Sequence, residues 1–127
     1  MMEEYRDEST ILVGNMMNTM KELDEYCEKL KGSIGLLDVV NIMSEMIHLE
    51  GVLSTLKNQY NELTKLLKSM EEKMDLISQI KKPMLLKIVL LTDTSISKTE
   101  MAINKIKSYY GINAQKESVE KNQEGGE

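Results

Sequence analysis

Apolar residues recur along this chain at alternating steps of three and four, the spacing that places side chains on one stripe of an α-helix. Val13, Met16, Met20, Leu23, Cys27 and Leu30 mark a first helix. Ser9 or Thr10 is placed to cap it, and Glu3, Glu4, Asp7 and Glu8 lie where the positive end of the helix dipole favours carboxylates. Lys29 and Lys31 suit its last turn. Lys31-Gly32-Ser33-Ile34-Gly35 then predicts a helical hairpin turn, with Gly32 in the left-handed conformation and Ser33 capping the next helix.

The longest regular pattern follows. One heptad register runs through Val39, Ile42, Met46, Leu49, Leu53, Leu56, Tyr60, Leu63, Leu67, Met70, Met74 and Ile77 without a slip. A strict repeat of about five heptads predicts a coiled coil. With Leu49, Leu56, Leu63, Met70 and Ile77 at d, Val52, Leu66 and Ile80 fall at g and Met43 at e. That face is wider than a two-stranded seam requires and suits three or four helices in contact. A parallel homodimer would also set Glu45 beside Glu50 of its partner, a mild repulsion. The heptad positions from Val39 to Ile77, together with Val52 and Leu66, form the expected oligomer interface.

Lys81-Lys82-Pro83 predicts the end of the second helix, with Pro83 opening the next or kinking a continuous one. Met84 to Leu91 is almost wholly apolar and reads as helix, since no second strand-like segment exists to pair with it. Thr92-Asp93-Thr94-Ser95 has weak helical propensity and Ser97-Lys98-Thr99-Glu100 matches a capping box, so residues 84–112 read as one helix or two. Ile96, Thr99, Ile103, Ile106 and Tyr110 resume the stripe until Gly111. The expected organisation is a disordered acidic segment over 1–8, a helical oligomerisation domain over 9–112 and a disordered polar tail over 113–127. At 1.5 Å per residue the central helix would be roughly 65 Å long and its flankers roughly 30 and 40 Å. Folded back, the flankers would leave one side of the central helix bare, which predicts a second chain and a four-helix cross-section.

Composition narrows the function. In 127 residues there is no Phe or Trp, and five Tyr and eleven Met accompany the aliphatic residues, a palette for helix packing rather than sheets. A net charge of -5 argues against nucleic acid as a partner, because phosphate binding needs concentrated Lys and Arg, and Lys98, Lys105 and Lys107 make only a thin cluster. One cysteine cannot form an internal disulfide and fits a reducing compartment. The acidic start is unlike a secretion signal, and Leu36–Ile47 and Met84–Leu91 are shorter than the roughly 20 residues that span a bilayer. A cytoplasmic or nuclear protein without membrane insertion is expected.

Candidate chemistry is sparse. Cys27 and His48, the lone thiol and imidazole, would have to form a nucleophile pair from different helices with no specifically placed Asn or Asp to orient the ring. One Cys and one His fall short of a zinc site, and no Glu-x-x-His pair is present. Gly14, Gly32, Gly35, Gly51 and Gly111 form no phosphate-cradling loop. No catalytic residue, cofactor, metal or small-molecule substrate is therefore expected. The pattern predicts an all-α chain, a long coiled-coil helix flanked by shorter ones in an oligomeric bundle. Its expected role is a non-enzymatic assembly subunit of the tether, spindle or kinetochore, or viral polymerase-cofactor kind, self-associating as a dimer or tetramer or pairing with a different helix. The alternative is a helical chaperone or adaptor that holds amphipathic helices in a methionine-rich groove.

Overall fold

A computed structural model describes residues 8–110, which form three helices and no strand: α1 (Glu8–Gly35), α2 (Val39–Met70) and α3 (Leu76–Tyr109). The all-α expectation holds. The disorder expected of 1–8 and 113–127, and the stop expected at Gly111, lie outside the described residues except at Glu8, which is helical. The expected disparity in helix length does not hold. The helices have 28, 32 and 34 residues, or about 42, 48 and 51 Å at 1.5 Å per residue.

The described residues through Ile96 make one compact unit, and those from Ser97 belong to a second. In the first, α1 and α2 run antiparallel with their backbones close together. The Ser33 hydroxyl donates to Glu45 Oε1 at 2.7 Å near the turn, and the rings of Tyr26 and His48 stack further along. The opening part of α3 runs parallel to α1: Ser9, Val13 and Met17 line a cleft with Lys81, Leu85 and Ile88, and Met20 lies beside Thr92. In the second unit, Thr99 and Ile103 are buried positions of the continuing helix.

In α1 the core positions are Ser9, Leu12, Met16, Thr19, Leu23, Leu30 and Ser33. The sequence stripe holds at Met16, Leu23 and Leu30. Its alternate members Val13, Met20 and Cys27 are only half-buried. The physical reason is that α1 serves two neighbours: Leu12 borders a cleft with α2, whereas Val13 borders the one with α3. The chain is already helical at Glu8, so Ser9 and Thr10 lie within the helix, and Ser9 is buried.

The hairpin turn comes later than the glycines suggest. Gly32 and Gly35 are helical, and Leu37 takes the left-handed conformation at φ 57°. The Asp38 N–H donates to the Ser33 carbonyl and the Leu37 N–H to that of Ile34, both at 3.0 Å. These are the two bonds of a Schellman ending, with leucine where glycine is preferred. Asp38 then starts α2, its carboxylate accepting the Asn41 N–H at 3.2 Å and the Asn41 side-chain amide at 2.8 Å. One residue thus closes α1 and opens α2.

Val39 at the start of the heptad stripe is exposed, and apart from half-buried Tyr60 the stripe is buried from Ile42 to Met70, where α2 ends. Beyond it Met74 and Ile77 are 82% and 63% exposed, and their spacing is coincidental. Asp75 competes with continuation of the helix. Its carboxylate accepts the Ser78 N–H at 3.1 Å and the Ser78 hydroxyl at 2.9 Å, and the Gln79 side chain donates to the Lys73 carbonyl at 3.2 Å. A carboxylate immediately before a helix satisfies donors that otherwise lack a partner. The preceding Glu71-Glu72-Lys73 run supplies no apolar contact to oppose the turn. The Ser78 backbone and hydroxyl hold the Asp75 carboxyl below the ordinary aspartate value of 3.8.

Of the alternatives left open further on, the continuous helix is the one found. Pro83 lies inside α3, removing one donor from its hydrogen-bond ladder. Helix also continues through Thr92-Asp93-Thr94-Ser95. Thr92 is fully buried, its hydroxyl 3.9 Å from the Met20 sulfur, so tertiary packing overrides weak local propensity.

Candidate interaction surface

Most residues expected at an oligomer interface are buried within the single chain. Leu49, Leu56 and Leu63 are fully buried, and Ile42, Met46, Leu53, Leu67 and Met70 are nearly so. Val52, Tyr60 and Leu66 are half-buried, while Val39, Met74 and Ile77 are exposed. α1 packs along α2 where these positions are buried. The long stripe is the core of the chain, and surface for a partner has to be sought elsewhere.

Two exposed apolar patches remain. The first surrounds the α1–α2 turn and includes Leu36, Leu37, Val40, Met43 and Ile47. Both φ 57° at Leu37 and the capping role of Asp38 turn the leucines outward, where 81% of Leu36 and 74% of Leu37 is accessible. The second patch is on α3. Ser78, Leu85 and Thr92 point inward, whereas Leu76, Ile77, Ile80, Met84, Leu86, Leu90 and Leu91 are all more than half exposed. Met84 to Leu91 lacks a clean period because this helix is apolar on both its inner and its outer side. That lack was the available signal, and it cannot say which side the fold covers.

Between α1 and α3 lies a cleft of about 340 Å³, lined by Thr10, Val13, Met17, Met84 and Ile88 among others. The methionines divide between roles. Met16, Met46 and Met70 fill the core, whereas Met17, Met43, Met74 and Met84 are exposed. A larger cleft between α1 and α2 has mixed walls, with Ile11, Leu12 and Leu66 beside Asn15, Gln59, Glu62 and Lys65.

His48 is exposed and off the core stripe, its ring stacked on Tyr26 at 5.4 Å between centroids, while Lys29 Nζ lies 4.8 Å from the same Tyr26 ring. This imidazole is engaged with an aromatic face, and Cys27, which follows Tyr26 in sequence, is half-buried. Among the described residues no three His, Cys, Asp or Glu side chains are grouped to hold a metal ion, and no helix is long and apolar enough to cross a membrane. No protein-family model, curated protein or solved structure matches the chain.

Proposed function

We propose that this chain is a non-enzymatic assembly protein, a helical module that holds together copies of itself or other chains in a larger complex. The observation that supports this most strongly is the outer face of α3. Soluble monomers rarely expose contiguous apolar patches beyond a few hundred Å² unless something binds there, and α3 presents seven large apolar side chains outward within four turns. The buried heptad stripe gives the module its stiffness. The outer patches give it partners, and protein rather than nucleic acid or a membrane interior suits their mixture of aliphatic and singly charged residues. Cytoplasm or nucleus is the corresponding location.

Light scattering behind size exclusion, over a wide concentration range, tests this role. The expected result is a mass rising above the 14.5 kDa of one chain. A chain that stays at that mass throughout, and crosslinks to nothing in its native extract, contradicts the proposal. The cleft containing Met17 and Met84 favours one other reading, an adaptor that clasps an amphipathic helix. Added amphipathic peptide would then protect Val13 and Ile88 from exchange without changing the number of chains per particle.

A further inference from the structure

We infer that this chain associates with copies of itself head to tail, the patch at the α1–α2 turn of one copy seating on the outer face of α3 in the next. The inference rests on the assembly role proposed above and specifies its geometry. Three observations support it.

The first is the sign of charge around each patch. From Gly32 to Leu56 there is no Lys or Arg, and Asp38, Glu45 and Glu50 carry negative charge. From Leu76 to Thr92 there is no Asp or Glu, and Lys81, Lys82 and Lys87 carry positive charge. Asp75 and Asp93 border this stretch on either side, as Lys31 and Lys57 border the other. Pairing either patch with itself across a two-fold axis brings like charges together, whereas pairing one with the other brings opposite charges together.

Area is the second observation. The seven outward residues of α3, between 52% and 73% accessible, present on the order of 800 Å², the share one partner gives to a standard interface. The turn patch is of comparable size, with Leu36, Leu37, Val40 and Ile47 each more than two-thirds accessible.

Position is the third. Residues 81–92 of α3 lie alongside 9–20 of α1, while the turn patch begins where α1 ends at Gly35. The turn patch reaches back along α2 to Ile47, which lies beside Glu22 of α1. Both patches are exposed in the same chain, so neither covers the other. Each copy offers both halves of the contact, so the contact repeats from copy to copy and closes a ring or extends a filament.

The test uses two full-length variants, Val40→Asp/Ile47→Asp at the turn and Ile80→Asp/Leu91→Asp on α3. All four residues are exposed, and circular dichroism checks that helix is kept. If either loses helix, Leu36→Asp/Val40→Asp and Leu86→Asp/Leu90→Asp replace them. Analytical ultracentrifugation is run at a concentration where the unaltered chain assembles. Each variant alone is expected to sediment as one chain, and an equal mixture as a complex of two, since each supplies the patch the other lacks. Salt should weaken the unaltered assembly. If either variant alone still sediments as two chains, the patch it keeps pairs with its own kind. A mixture that stays as single chains while the unaltered protein assembles likewise denies pairing of one patch with the other. Head-to-tail contact is then overturned and the assembly role stands. An unaltered chain that remains single at every concentration also overturns the inference and leaves only a different protein as partner.

Discussion

Leu37 sits in a backbone conformation that glycine adopts freely and a branched side chain does not, with its own side chain in solvent. Leu37→Gly should therefore raise stability by about 1 kcal/mol, with the denaturant midpoint shifted and the slope unchanged. The opposite exchange applies at Gly51, which faces solvent inside α2 with nothing within 4 Å of an added Cβ. Gly51→Ala should also stabilise by about 1 kcal/mol, because alanine gives up less chain entropy in a helix. At Asp75 the effect depends on pH. Its carboxyl is held below the ordinary value by the Ser78 N–H and hydroxyl, so the ionised form is favoured on folding. The stabilisation is complete above the ordinary aspartate value and is lost as pH falls through the lower folded value. Acid titration followed by amide exchange at Ser78 should show this step, and Asp75→Ala should remove it and shorten α3 at its start. Such details were poorly legible in the sequence. Glycines drew the predicted turn to Gly32, whereas the decisive residue was Asp38, which satisfies donors of one helix and closes the other.

The elements themselves were legible where burial is one-sided. Leu49, Leu56 and Leu63 repeat every seven residues and are fully buried. Leu56→Ala should cost about 2–5 kcal/mol, read from urea unfolding, since the cavity lies in the centre of the stripe. The end of α2 was not legible, because Met74 and Ile77 prolong the heptad by coincidence and a periodicity argument has no means to weigh one capping carboxylate against it. In α3, Pro83 and the Thr92–Ser95 stretch looked like breaks. Apolar contacts at Leu85 and Ile96 on either side hold the helix together regardless. Pro83→Ala should slow amide exchange in the first three turns of α3 by restoring a donor to the ladder, leaving exchange around Leu56 unaltered.

At the scale of the molecule, a stripe of apolar residues identifies a buried face without saying whose helix buries it. The register through Leu49, Leu56 and Leu63 is equally compatible with a neighbouring chain and with α1. Burial of these leucines in the single chain, where α1 packs on α2, favours α1, and that packing depends on the two turns that the pattern misplaced. The patches proposed for assembly were hidden for the same reason: Val40 and Ile47, or Leu86 and Leu90, read as further hydrophobic residues of amphipathic helices until the inner faces are assigned. Core closed within one chain and association confined to its outer patches make up the central claim. Circular dichroism on serial dilution, paired with the mass at each concentration, tests it most directly. A core closed within one chain predicts full helicity and a concentration-independent unfolding midpoint for the dissociated monomer. Loss of helix in step with loss of mass would contradict this, and would mean that Leu49, Leu56 and Leu63 are shared between chains.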